Sequence, residues 1–137
     1  MKKYFYLITT MIFISGCTHS GQSNDTPFLD TTWKLSELFS EKIQYAGSNI
    51  PHLRFETERV SGNDGCNNFF GGYTLDKGSL KFGLLASTRM ACPDTEGFEL
   101  IFNKMLSMTT RYHISGNRLD LYADEKLIAS FLAAQQS

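Results

Sequence analysis

Residues Ser61–Cys92, SGNDGCNNFFGGYTLDKGSLKFGLLASTRMAC, constrain this chain more than any other stretch. They include two of its three cysteines and six of its eleven glycines. Gly62, Gly65 and the pair Gly71-Gly72 mark places where backbone turns left-handed or lies close against a neighbour. Tyr73-Thr74-Leu75, Asp76-Lys77-Gly78 and Leu80-Lys81-Phe82 then read as strand, hairpin turn and strand. Cys92-Pro93 closes the stretch and opens the one strong helical pattern.

Composition narrows the class. The 137 residues predict a single domain, and 42% hydrophobic with 13% aromatic residues suffices for one packed core. A formal charge of −1 leaves no basic stripe to neutralise phosphates, which argues against a nucleic-acid partner. The eleven Phe and six Tyr are scattered and form no base-stacking motif.

At the N-terminus Lys2-Lys3 precede a largely apolar region of eleven residues, Tyr4–Ile14. A hydrocarbon core about 30 Å thick needs about 20 residues to span, so this run predicts a secretory signal and not an anchor. Ile14-Ser15-Gly16-Cys17 resembles the bacterial lipobox, in which a branched aliphatic and two small residues precede the cysteine. That resemblance implies cleavage before Cys17 and acylation of it, including palmitate-like chains, with an ordinary signal peptide as the alternative. Each buried CH₂ contributes about 0.8 kcal/mol, and two or more chains anchor stably. Thr18 stands where an inner-membrane retention signal places Asp. By likeness to sorted lipoproteins this predicts the outer membrane, facing the periplasm, with the cell surface as the alternative. Loss of residues 1–16 leaves 11 basic against 14 acidic residues, a mature charge near −3. Residues 17–28 then read as lipidated cysteine and flexible tether, with His19 as a tether residue.

Beyond the tether, Thr31–Leu38 alternates with Trp33 and Leu35 on one face and reads as the first strand. Glu41–Ile50 reads as a loop with an extended piece around Ile43–Tyr45. His52–Glu56, Arg59–Asn63, Gly72–Leu75, Ser79–Leu84, Arg111–Ser115, Arg118–Tyr122 and Lys126–Leu132 complete seven or eight short strands. The last, apolar on both faces, is either central or closes the sheet. Pro93 to about Ser107 reads as the helix, with Pro93 at its first position and Asp94 and Glu96 at the positive end of its dipole. Phe98, Ile101, Phe102, Met105 and Met108 form its apolar stripe. These elements predict a mainly β fold: a small antiparallel curled sheet or barrel with one α-helix packed across it.

The motifs Gly65-Cys66-Asn67, Gly72-Tyr73 and Thr88-x-Met90-Ala91-Cys92, with the acidic helix and the strand of Leu119 and Leu121, resemble the META domain, or HslJ-like, family. The likeness runs from about Trp33 to Phe131, and residues 29–133 are expected to form the domain. It implies a lipocalin-like or cracked barrel, and proteins that are secreted or lipid-anchored and linked to envelope stress, motility or secretion. It implies no enzymatic activity.

With Cys17 assigned to lipid, Cys66 and Cys92 remain in an oxidising compartment, either as a disulfide or as two buried thiols. Metal binding has little support: Cys66, Cys92, His52 and His113 lack zinc spacing, and Asn63-Asp64-Gly65 lacks the alternating carboxylates of a calcium loop. No cofactor and no catalytic residue is expected; Gly62-x-x-Gly65 lacks a following GK[ST], and no GxSxG occurs. Glu99 reads as a solvated helix residue. Two functions remain open, beside a structural stress lipoprotein that works by occupancy alone. One is a binding module held on the membrane by its lipid, taking an apolar small molecule or an envelope protein. The other is a small periplasmic enzyme using Asp64 or Cys66.

Overall fold

A computed structural model describes residues 24–44, 49–95 and 97–134. The leader, Cys17, the start of the tether, Tyr45, Glu96 and the last residues 135–137 lie outside the described residues.

Nine antiparallel strands and one helix make up the described chain: β1 Thr32–Leu38, β2 Glu41–Lys42, β3 His52–Glu56, β4 Arg59–Asn63, β5 Asn68–Asp76, β6 Ser79–Ser87, α1 Phe98–Met108, β7 Arg111–Ser115, β8 Arg118–Ala123 and β9 Lys126–Ala133. The expected mainly β architecture is present. The strands follow one another around a curled sheet, and β1 pairs with both β3 and β9, so the sheet's two sides meet. The additional strand, β2, pairs with Glu37 and Leu38 at the far end of β1. The weakest seam is between β6 and β7, which share one register pair, Ser79 with Arg111. Two flanking bonds support it, Leu80 N–H to Thr110 O at 3.0 Å and Tyr112 N–H to Gly78 O at 3.1 Å.

Bulges explain where simple alternation fails. Ser36 is the extra residue of β1 opposite β9, and it shifts the phase so that Leu38 joins Trp33 and Leu35 inside. Ile128 is the extra residue of β9 opposite β8. Ile128 and Ala129 both reach the core, which accounts for the apolar run of that strand. On β6, Gly83 and Leu84 together face Gly72, leaving Leu84 98% exposed. Gly71 sits where a Cβ would strike the carbonyl of Leu84, so no larger residue fits this approach.

The helix departs from its sequence reading at both its start and its stripe. It begins at Phe98, because Gly97 adopts φ 82° and separates it from a 3-10 turn at Pro93–Thr95. Asp94 therefore precedes the helix, and Glu99 is the acid in its first turn. The buried face is Phe102, Met105 and Leu106, while Ile101, expected inside, is 47% exposed. The helix is set over the sheet by the Phe102 ring, 5.9 Å from Phe69 and 6.5 Å from Phe131, which turns Ile101 outward. On the sheet's outer face, Asp120 bonds Arg118 at 2.7 Å and Ser130 at 2.6 Å, tying β8 to β9. That Asp120 bond is the main reason the Arg118 guanidinium titrates even higher than usual.

Candidate functional site

The cysteine-bearing motifs converge on a buried turn. Gly65, with φ 98°, supplies the left-handed position between β4 and β5. Asn63 Oδ1 accepts the Gly65 N–H at 2.7 Å. Asp64 is 2% exposed, and its Oδ1 accepts from the backbone N–H of Cys66 at 3.0 Å and of Asn67 at 2.6 Å. A carboxylate hidden this well is tolerable because backbone donors replace the water it has lost.

The same turn grips the chain leaving β6. Asn67 Oδ1 accepts from Met90 N–H at 2.7 Å and from the Thr88 hydroxyl at 3.0 Å. The Asn68 N–H in turn donates to Thr88 Oγ1 at 3.2 Å. Cys66 and Cys92 are joined by a disulfide across a Cα–Cα distance of 5.9 Å. Gly65, Cys66, Asn67, Thr88, Met90 and Cys92 thus act as one clasp, holding residues 88–92 before the chain enters the helix. Met90 takes part through its backbone, and its side chain is 56% exposed. Ala91 is exposed between the clasped residues. Asn63 and Asn68, which the sequence marks as turn residues, also bond each other, Asn63 Nδ2–H donating to Asn68 Oδ1 at 2.9 Å, a contact that turn chemistry alone does not predict. Two amides flanking a Gly-containing turn were the available signal.

Chemically, the reactive groups of this cluster are engaged in bonds within the fold. The Cys66 sulfur is in the disulfide and offers no thiolate, and one Asp64 oxygen already accepts two N–H groups. His52 Nδ1 lies 2.9 Å from Ile50 O, and His113 is on the outer side of β7. Among the described residues no three His, Cys, Asp or Glu side chains gather in a metal-binding group.

Gly72 and Tyr73 are elsewhere, in the middle of β5. There Tyr73 packs with the fully buried Phe55, and with the partly buried Phe82 and Tyr112, in an aromatic cluster near the weak β6–β7 seam, called the mouth below for the ring it receives. Its occupant is Phe28, whose ring lies 4.2 Å from Phe55, 4.8 Å from Tyr112 and 6.0 Å from Tyr73. The Tyr73 hydroxyl donates to Glu56 O at 2.7 Å, and burial pushes its pKa above the ordinary value. Asp25, Thr26 and Phe28, read from sequence as tether, lie against the domain as a strap. Thr26 N–H donates to Gly116 O at 2.8 Å, and Asp25 Oδ1 accepts from Gly116 N–H at 2.7 Å.

A small curled antiparallel sheet with one packed helix and a disulfide-clasped turn defines the class of scaffold. The model of the META domain family matches residues 26–136, and the chain belongs to that family. It is 26% identical over 136 residues, 97% of each chain, to "Heat shock protein HslJ" of Escherichia coli (strain K12). An NMR structure of a protein from Burkholderia xenovorans resembles it with a TM-score of 0.63 and 25% identity, over 80% of this chain and 85% of that one. A second NMR structure gives a TM-score of 0.59 at 25% identity, over 74% of this chain and 88% of the other. The family likeness expected from the GCN and T-x-MAC motifs is therefore correct.

Proposed function

We propose that this chain is an envelope lipoprotein whose META domain works as a non-enzymatic binding module. Acyl groups on Cys17 hold it on the outer membrane, facing the periplasm, and it serves envelope stress or secretion. The observation that carries the binding role is the division of labour in the fold. The motif residues that carry chemistry, Asp64 and Cys66, are engaged in the clasp, while the aromatic cluster that seats Phe28 takes no part in it and is the surface we assign to recognition once Phe28 leaves. The lipobox-like Ile14–Cys17 supports the anchor, and the relative's designation as a heat shock protein supports the link to stress.

Cross-linking the intact envelope and co-purifying the full chain tests the reading, with Cys17→Ser as the companion variant. A specific envelope protein or retained apolar molecule is expected, and Cys17→Ser is expected to leave the membrane fraction and to lose palmitate labelling. If that variant sediments with membranes as before, the anchor is wrong; turnover of a substrate surviving loss of the mouth would remove the binding role.

A further inference from the structure

The strap behaves as a bound peptide that happens to be covalently attached. It lies outside the continuous ladders, touching β3 through one isolated bridge, Leu29 with Phe55. Its backbone-to-backbone bonds sit near its two ends, Thr26 N–H to Gly116 O and Asp30 N–H to Phe55 O, each 2.8 Å. Between them Phe28 enters the mouth, while Leu29 is left 39% exposed. The strap ends at Asp30 with φ 59°, a conformation unfavourable for a residue with a Cβ. Arg54 holds it there by Nη1–H to Asp30 O at 2.9 Å and by an ion pair with the Asp30 carboxylate at 3.3 Å, and the ion pair, between groups 40% and 75% exposed, adds little.

Backbone bonds at the ends and one aromatic side chain in a pocket are the elements by which extended peptides are recognised. We propose that the mouth formed by Phe55, Tyr73, Phe82 and Tyr112 is a site for an extended peptide segment carrying an aromatic residue, occupied in the free protein by the chain's own Asp25–Thr31. This specifies the partner chemistry of the binding module and rests on that reading. The strap joins β1 directly, so it competes from an effective concentration of the order of millimolar. A partner's apparent affinity falls in proportion to the fraction of mouths left open. The strap is thus both a model of the ligand and a gate against weak ones.

Trp33, the only tryptophan, donates its Nε1–H to Phe28 O at 3.2 Å and reports on the site directly. The test uses the full chain in detergent, as wild type and as Phe28→Ala, titrated with the synthetic peptide NDTPFLDT and with its Phe-to-Ala counterpart. The Phe peptide is expected to shift Trp33 fluorescence and to bind Phe28→Ala at least about tenfold more tightly than wild type. Equal binding of the two peptides, or none to a Phe28→Ala chain with native far-UV dichroism, overturns the proposal. So does a result in which only a small apolar probe such as indole binds. Should Phe28→Ala not fold, hydrogen exchange of the wild type decides. Thr26 and Asp30 amides are expected to exchange about 100-fold faster than Leu119, and exchange of all three at one rate refutes a detachable strap. A partner captured from the envelope without peptide binding here leaves the module reading intact and removes only this one.

Discussion

Cutting the clasp at its covalent link should cost the domain a large part of its stability. Cys66 and Cys92 are 26 residues apart, and a closed loop of that size gives about 3.5 kcal/mol of unfolded-state constraint in the chain-entropy model. The variant to make is Cys66→Ala with Cys92→Ala, since Cys66 is 2% exposed and a serine hydroxyl there would need a partner. For a domain of this size 1 kcal/mol corresponds to roughly 4 °C, so the melting temperature should fall by about 10–15 °C. Urea denaturation of the oxidised wild type and the double variant measures the difference. Because the constraint acts on the unfolded chain, reduced wild type should unfold at nearly the same urea concentration as the double variant. A loss below about 1 kcal/mol would refute the reasoning, since residual denatured structure or the Asn67 bonds would then be closing the loop unaided. Thiol labelling of denatured, unreduced protein checks the premise: Cys66 and Cys92 should give no reaction.

Asn67→Ala removes the acceptor for both Met90 N–H and the Thr88 hydroxyl, and should cost about 1–3 kcal/mol by chemical denaturation. Phe102→Ala should cost about 3–5 kcal/mol, whereas Ile101→Ala on the exposed side of the same helix should stay within about 0.5 kcal/mol; equal costs would mean the helix is turned otherwise. Asp120→Ala leaves Ser130, which is 0% exposed, without one of its partners and should destabilise by about 1–2 kcal/mol. Burial raises the Tyr73 pKa above 10.0, so folding favours its neutral form. Its contribution is whole below pH 10.0 and is lost as pH rises through the higher folded value. Urea midpoints measured across that alkaline range should decline less steeply for Tyr73→Phe than for wild type.

How far the fold could be read in advance depended on whether a residue's role was set by its neighbours in sequence. The alternating pairs Trp33/Leu35, Leu53/Phe55 and Leu119/Leu121 each identify a buried strand face, because side chains two apart share a side of the sheet. Alternation says nothing about an added residue, so the phase shifts at Ser36 and Ile128 were invisible. Each becomes apparent only when the partner strand is aligned. Ile101 failed for a related reason: helical spacing defines a stripe, but the rotation of the helix is set by Phe69 and Phe131, 32 and 30 residues away in sequence.

The same distinction separates the two parts of the candidate site. Asn63–Asn67 was recognisable as a turn because Asn, Asp and Gly bring their own local bonding, and its cysteine implied a partner. That Asp64 would be buried among backbone donors followed only from the tight return of Asn67 over it. Phe28 was hidden for the opposite reason, since the polar run up to Pro27 has the composition of a free linker and a single aromatic does not alter that. What brings it back is a vacancy made elsewhere: β6 and β7 meet at one residue pair, and the rings of Phe55, Tyr73 and Tyr112 beside that seam need an apolar cover. A seam completed by more β6–β7 pairing would have no use for the strap. Lengthening that ladder by redesign should therefore release residues 25–31, detectable as faster exchange of the Thr26 amide.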